Sequence, residues 1–398
     1  MRRRKNYEQG TKEACVEGRD TGMRYSFSAE QDEFRSVLRR FLEERSPTSE
    51  VRRLMASEAG WEREEWVRIN GELELTAIAI PEAYGGHGYG ATEHCIVLEE
   101  MGRALLCAPY FATTVLAANA ILEAGKEKQK QSFLPAVAAG ETVATLAFTE
   151  ANGLWNMDGV QATATANGSG FKLSGTKTLV LDGHEADLIV VLARAPNTHG
   201  SAGLSLFTVS ADAGGLERSS LATVDETRKL ARITFSNASV ELLGDEGAGA
   251  KAMEKVLVRA TVCLANEMVG GADRLREEAL EYVRLRMQFG RSIASFQVTK
   301  HKAADMLHDV ELAKSAAYYA AAALDEDDDA IVAVASLAKA TASEAYMQTA
   351  IQAIQMHGGI GFTWDNDTHL WFKRAKSSEV FLGDANHHRE LMIQNWRV

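Results

Sequence analysis

Between Ser28 and Glu44 the apolar residues Phe34, Val37, Leu38, Phe41 and Leu42 recur at helical spacing on one face, with charged residues filling the other. Ser28 and Gln31 stand where a capping box would open that helix. A second helical segment, Trp61 to Leu75, turns Trp66, Ile69 and Leu73 inward, and a third runs from Thr92 to Leu106. Between them, Gly85, Gly86, Gly88 and Gly90 punctuate a loop from Ile78 to Ala91. Their spacing matches neither a P-loop nor a dinucleotide fingerprint, so the loop carries no phosphate-binding signature.

After Gly140 the pattern shortens. Thr142 to Phe148, Val160 to Ala166, Phe171 to Leu173, Thr178 to Leu181, Leu188 to Ala193, Leu204 to Val209 and Ala231 to Phe235 are β-branched and apolar runs separated by Gly, Asn and Asp turns. They predict a mostly antiparallel, β-barrel-like middle domain. Beyond Gly249 the helical period returns, with long Ala-rich segments Lys251 to Leu285, Phe296 to Leu324 and Ala330 to His357 that predict a four-helix bundle. The expected organisation is α+β: a flexible tail at 1–22, an N-terminal helical domain at 23–140, the β domain at 141–245 and the bundle at 246–398. The acidic run Asp325 to Asp329 could pass for a metal site, but it suits the N-terminal dipole of the helix that follows it and reads as a solvated loop. Asp365 and Asp367 are expected to cap a helix from His369 to Lys376.

With 398 residues and 46% hydrophobic content the chain can bury several packed cores. Its net charge of -12 argues against a nucleic-acid partner, because most of the surface would repel a phosphate backbone. Arg284, Arg286 and Arg291 nonetheless offer a local basic pocket for a small anion. No apolar run approaches the ~20 residues of a membrane span, and the basic N-terminus has no apolar segment behind it, as a secretory signal would. Cys15, Cys95, Cys107 and Cys263 are scattered without metal spacing or disulfide density, which points to a reducing cytoplasm and no metal site. Gly358 and Gly359 follow the last long helix; they read as a helix stop or as a turn able to bring bare N–H groups to an anionic ligand.

The sequences at the joints narrow these readings. YVRLRMQFGRSIASFQVTKHKAADM from Tyr282 to Met306, QMHGGIGF from Gln355 to Phe362, LAFTE from Leu146 to Glu150 and GFKLSGTK from Gly170 to Lys177 occur in one order along the chain. In that combination, from Phe27 to His388, the chain resembles the acyl-CoA dehydrogenase family. The resemblance implies an FAD cofactor shared across a subunit interface, an acyl-CoA substrate, an electron-transfer flavoprotein or similar acceptor, and a homo- or hetero-oligomer. It implies that Arg286 and Gln297 contact the diphosphate and adenosine part of FAD. Phe289 would lie against the adenine, and Gln355, Gly358 and Gly359 would approach the diphosphate from the neighbouring subunit. Phe148 and Thr149 match the strand that faces the flavin ring.

Several positions depart from the family pattern. Ala151, Trp155 and Asn156 replace the usual Pro, Ser and Asp, and Leu179, Val180 and Leu181 replace the usual Trp-Ile-Thr or Trp-Ile-Ser of the next flavin-facing strand. Abstraction of a proton α to a thioester needs a carboxylate in reach of the carbon. The family's usual Glu position is Leu382, and the alternative position used by some relatives is Ala260. Asp384 is the nearest replacement carboxylate, either as a displaced base or as a turn residue. Arg259 could take over the lost substrate-binding Arg next to Ala260, while Glu267 lies about two turns further on. Three activities remain open: an acyl-CoA dehydrogenase with a displaced base, a half-site partner in a heteromeric enzyme resembling those of actinobacterial steroid side-chain breakdown, or oxygenase-type flavin chemistry.

Overall fold

The computed structural model describes residues 27–168 and 170–396. The expected tail at 1–22, with Cys15, lies outside the described residues. The N-terminal layer contains α1 (Ala29–Arg45), α2 (Thr48–Met55), α3 (Arg63–Leu73) and α4 (Ala91–Ala104). A π-helical segment, Phe111–Ala118, then runs into α5 (Asn119–Ala124), and α6 (Glu127–Ala138) completes the layer. The capping box is in place, with Ser28 Oγ accepting from Gln31 N at 3.2 Å and Gln31 Oε1 accepting from Ser28 N at 2.9 Å. Periodicity missed α2 because it is only 8 residues long, and it missed the Phe111–Ala118 segment because every residue there is buried, leaving no polar face.

The strands are β1 (Ala144–Ala147), β2 (Thr163–Asn167), β3 (Gly170–Leu181), β4 (Leu188–Arg194), β5 (Leu204–Ser210), β6 (Leu216–Leu221) and β7 (Leu230–Leu243). Pairings run β4–β2–β3–β7–β5 and return from β5 to β4, closing a ring around Leu173, Ile189, Val191, Phe207, Ile233 and Phe235. β1 joins β4 in parallel, whereas the ladders β2–β3, β3–β7, β4–β5 and β5–β7 are antiparallel. Two expected strands, Phe171 to Leu173 and Thr178 to Leu181, are one bulged strand, β3. A bulge inserts an unpaired residue and breaks the alternation from which register is read. β6 escaped notice because LERSSL is largely exposed and has no apolar run.

The bundle consists of α7 (Gly249–Leu285), α8 (Gln297–Asp325) and α9 (Ile331–His357), followed by α10 (Thr368–Val380) and α11 (Ala385–Asn395). α4 packs along α7 at very short range. A Cβ on Gly270 would fall 1.9 Å from Glu99 O, and one on Gly102 would fall 2.0 Å from Glu267 O, so only glycine permits this crossing. Asp328 of the acidic run serves the helix that follows, accepting from Ala330 N at 2.8 Å, but two other acids differ from expectation. Asp325 caps the start of α4 rather than the helix after it, accepting from the backbone N–H groups of Ala91 and Thr92 and from Thr92 Oγ1 at 2.7 Å. Asp367 pairs with Arg52 at 2.6 Å, and Asn366 Oδ1 takes the Thr368 N–H instead. Sequence places an acid near a helix start, but tertiary packing decides which helix start it reaches.

Candidate cofactor and substrate site

The residues assigned to the adenosine end of FAD gather at one end of the bundle. Arg286 ends α7, Phe289 sits in the turn between α7 and α8, Gln297 opens α8, and Gln355, Gly358 and Gly359 end α9. Tyr282 stacks on His357 with centroids 4.3 Å apart, holding the ends of α7 and α9 together. Phe289 is 91% exposed on backbone of positive φ (52°). Gly358 also has positive φ (68°), and space is open around it and Gly359. Arg286 and Gln297 are exposed and have no side-chain partner among the described residues. Gln355 Oε1 accepts from Lys302 Nζ, which also reaches Gln352 at 2.7 Å. Lys302 therefore adds a cation to this end that no sequence spacing announced. Exposed donors, an exposed aromatic face and bare glycine backbone fit a nucleotide diphosphate and its base.

The residues that the resemblance places against the flavin ring are buried. Phe148 is 6% and Thr149 3% exposed; Thr149 Oγ1 donates to Thr178 O at 2.5 Å instead of facing a cavity. Leu181 is 2% exposed, its carbonyl accepting from Thr145 Oγ1 at 2.6 Å. Buried Lys177 fixes the strand end by donating to Glu150 Oε1 at 2.7 Å and Phe148 O at 3.2 Å. Burial drives its pKa down to about 8 against the pull of Glu150. Trp155 packs against Phe148 and Phe381 with centroids 6.0 and 5.5 Å apart, and Phe381 packs on Phe111 at 5.8 Å. The side chains that the resemblance sets against an isoalloxazine are therefore covered by the chain's own atoms, while those it sets against the adenosine end of FAD are exposed.

The two positions at which the resemblance would set a base are buried, with Leu382 4% and Ala260 0% exposed. Asp384 is the N-cap of α11, its Oδ1 accepting from His387 N at 2.8 Å. Glu267 is held by Arg228, whose Nη2 lies 2.6 Å from Oε2, and by Arg374, whose Nη1 lies 2.9 Å from Oε1. Arg374 also meets Asp225 at 3.0 Å, so α10, α7 and the loop before β7 meet in one buried charge cluster. Arg259 is half-buried and makes no side-chain hydrogen bond or ion pair among the described residues, though its charge bears on buried His94. Lys339, wholly buried in the Ala-rich α9, donates to Glu379 O and Gly383 O at 3.1 Å and ties the end of α10 to the turn that follows it. Its desolvation lowers its pKa to about 7. A lone Lys in an apolar helix was the available signal for it.

A helical layer, a closed strand ring and a helical bundle with exposed arginine, glutamine and glycine at one end make up this α+β architecture. Comparison with known proteins supplies the family. The profile of the acyl-CoA dehydrogenase N-terminal domain matches residues 28–141, that of the middle domain 145–238 and that of the C-terminal domain 247–396. The acyl-CoA dehydrogenase IpdE2 of Mycobacterium tuberculosis is 30% identical over 332 residues, 83% of this chain and 86% of that protein. Butyryl-CoA dehydrogenase of Megasphaera elsdenii superposes with a TM-score of 0.87 at 25% identity, covering 94% of this chain and 99% of that one. The Tcur3481-Tcur3483 steroid ACAD superposes with a TM-score of 0.81 at 29% identity, covering 92% and 97%. The chain belongs to the acyl-CoA dehydrogenase family, whose members are FAD-dependent flavoprotein oxidoreductases. Among the described residues no helix is long and apolar enough to cross a membrane.

Proposed function

We propose that this chain is the half-site subunit of a heteromeric acyl-CoA dehydrogenase. It holds the adenosine and diphosphate end of FAD, and a sister subunit provides the ring seat and the carboxylate base. What supports this reading is an asymmetry of burial: the residues that the resemblance sets at the adenosine side are exposed, whereas those it sets at the ring side are buried. Arg286, Phe289, Gln297, Gly358 and Gly359 are exposed, while Phe148, Thr149, Leu181 and Leu382 are buried by the chain's own side chains. Asp384 and Glu267 are both engaged, one as a helix cap and the other with two arginines, which argues against a displaced base. The assembly would take an acyl-CoA thioester, and the likeness to the steroid ACAD supports an acyl group on a bulky ring system.

The test is purification alone and with a co-expressed homologue, followed by anaerobic addition of acyl-CoA while flavin absorbance is recorded. The reading expects acyl-CoA to bleach flavin only in the mixed assembly. Bleaching by the lone chain would refute it. Flavin reduction by a nicotinamide or a reductase followed by oxygen uptake, with no response to acyl-CoA, would favour oxygenase-type chemistry.

A further inference from the structure

The ring side carries a second inference, which rests on the half-site reading and explains how that half is shut. Trp155 stands in the loop between β1 and β2, at a position where the resemblance implies a small Ser. Its indole meets Phe148 at an interplanar angle of 52° and Phe381 edge-on at 83°, and Phe381 meets Phe111 at 65°. These rings join the end of β1, the loop after α10 and the π-helical segment across all three layers. Phe148 and Phe381 are 6% and 8% exposed and Trp155 is partly buried, so the indole contacts two rings that protein atoms already cover. The loop is fastened at its base, where Asn152 Nδ2 donates to Gly159 O at 2.7 Å and Asn152 Oδ1 accepts from Leu154 N at 3.1 Å. A flavin ring is a flat, largely apolar aromatic and would claim the same edge and face contacts that the indole makes. Two such planes cannot share one slot.

We infer that Trp155 is a built-in plug that bars a flavin ring from this protomer, so that the protomer's aromatic slot is filled by its own side chain. Removing the indole should open a seat for a planar tricyclic aromatic between Phe148 and Phe381, without disturbing the adenosine end.

The experiment uses the full chain alone, with riboflavin as the ring-only probe and ADP as the adenosine-end probe. Riboflavin binding is read by quenching of its fluorescence, and ADP binding by calorimetry. Wild type should show no saturable riboflavin binding, and Trp155→Gly should bind riboflavin at least tenfold more tightly, with ADP affinity unchanged within twofold. Wild type binding riboflavin as well as the variant would overturn the inference. So would a folded Trp155→Gly that gains nothing. If Trp155→Gly fails to fold, Phe381→Ala opens the opposite wall of the slot and must show the same gain, and its absence there is equally fatal. Failure of the half-site reading appears separately, as wild type that does not bind ADP.

Discussion

Asp384 can be asked directly whether it is a helix cap or a base. Its Oδ1 accepts from His387 N at 2.8 Å and it sits exposed at the N-cap of α11. Asp384→Ala removes the acceptor and should cost about 1 kcal/mol, within the ~0.5–2 kcal/mol range of N-cap deletions. Asp384→Asn keeps an acceptor of the same shape and gives up only the charge at the helix N-terminus, worth about 0.3–1 kcal/mol. The stability order is therefore wild type, Asn, then Ala, read as urea midpoints of the purified chain. Turnover is then measured as acyl-CoA-dependent dye reduction by the flavin-loaded assembly. A cap predicts that Asn leaves the rate within twofold of wild type. A proton-abstracting carboxylate contributes roughly 10²–10⁴-fold, so a loss of that size in Asp384→Asn, with its midpoint barely moved, would refute the cap assignment and restore the displaced base.

Arg374→Met should destabilise by about 3–5 kcal/mol, because Asp225 and part of Glu267 would be left buried without their cation; chemical denaturation measures it, and a loss under 1 kcal/mol would mean that the cluster relaxes freely. Arg286→Ala should weaken ADP binding by about tenfold or more, in line with ~1.5–3 kcal/mol for a charge-assisted hydrogen bond, yet leave the melting temperature in place since the side chain is exposed. Lys339 has a folded pKa near 7, below its ordinary value of 10.5, so the unfolded chain binds more protons between those pH values and stability rises with pH across that window. The stability difference between wild type and Lys339→Met should accordingly shift in favour of wild type from pH 7 to pH 9, and parallel curves would show that burial does not perturb this lysine.

Much of the fold was legible because helix and strand periods are local properties. The capping box at Ser28, the long helices α7, α8 and α9, and the strand-rich middle section all follow from residue spacing within a few turns. What escaped was set by burial. The Phe111–Ala118 segment lacks a polar face, β6 lacks an apolar one, and the bulges of β3 interrupt its alternation. The acid at Asp325 and the one at Asp367 were read by their nearest helix, but folding gave them partners on α4 and α2.

The sequence by itself determined the family, and it sets hydrocarbon at Leu382 and Ala260 in any conformation. It also supplied the order of Arg286, Gln297 and Gly358, which the chain ends of three helices then bring together. Only the tertiary structure decided that Asp384 is spent on a cap, that Glu267 is held by Arg228 and Arg374, and that Trp155 lies between Phe148 and Phe381. The physical reason is that a residue's type sets the chemistry it can perform. The partners that consume or free that chemistry come from segments far away in the chain, and packing alone selects them.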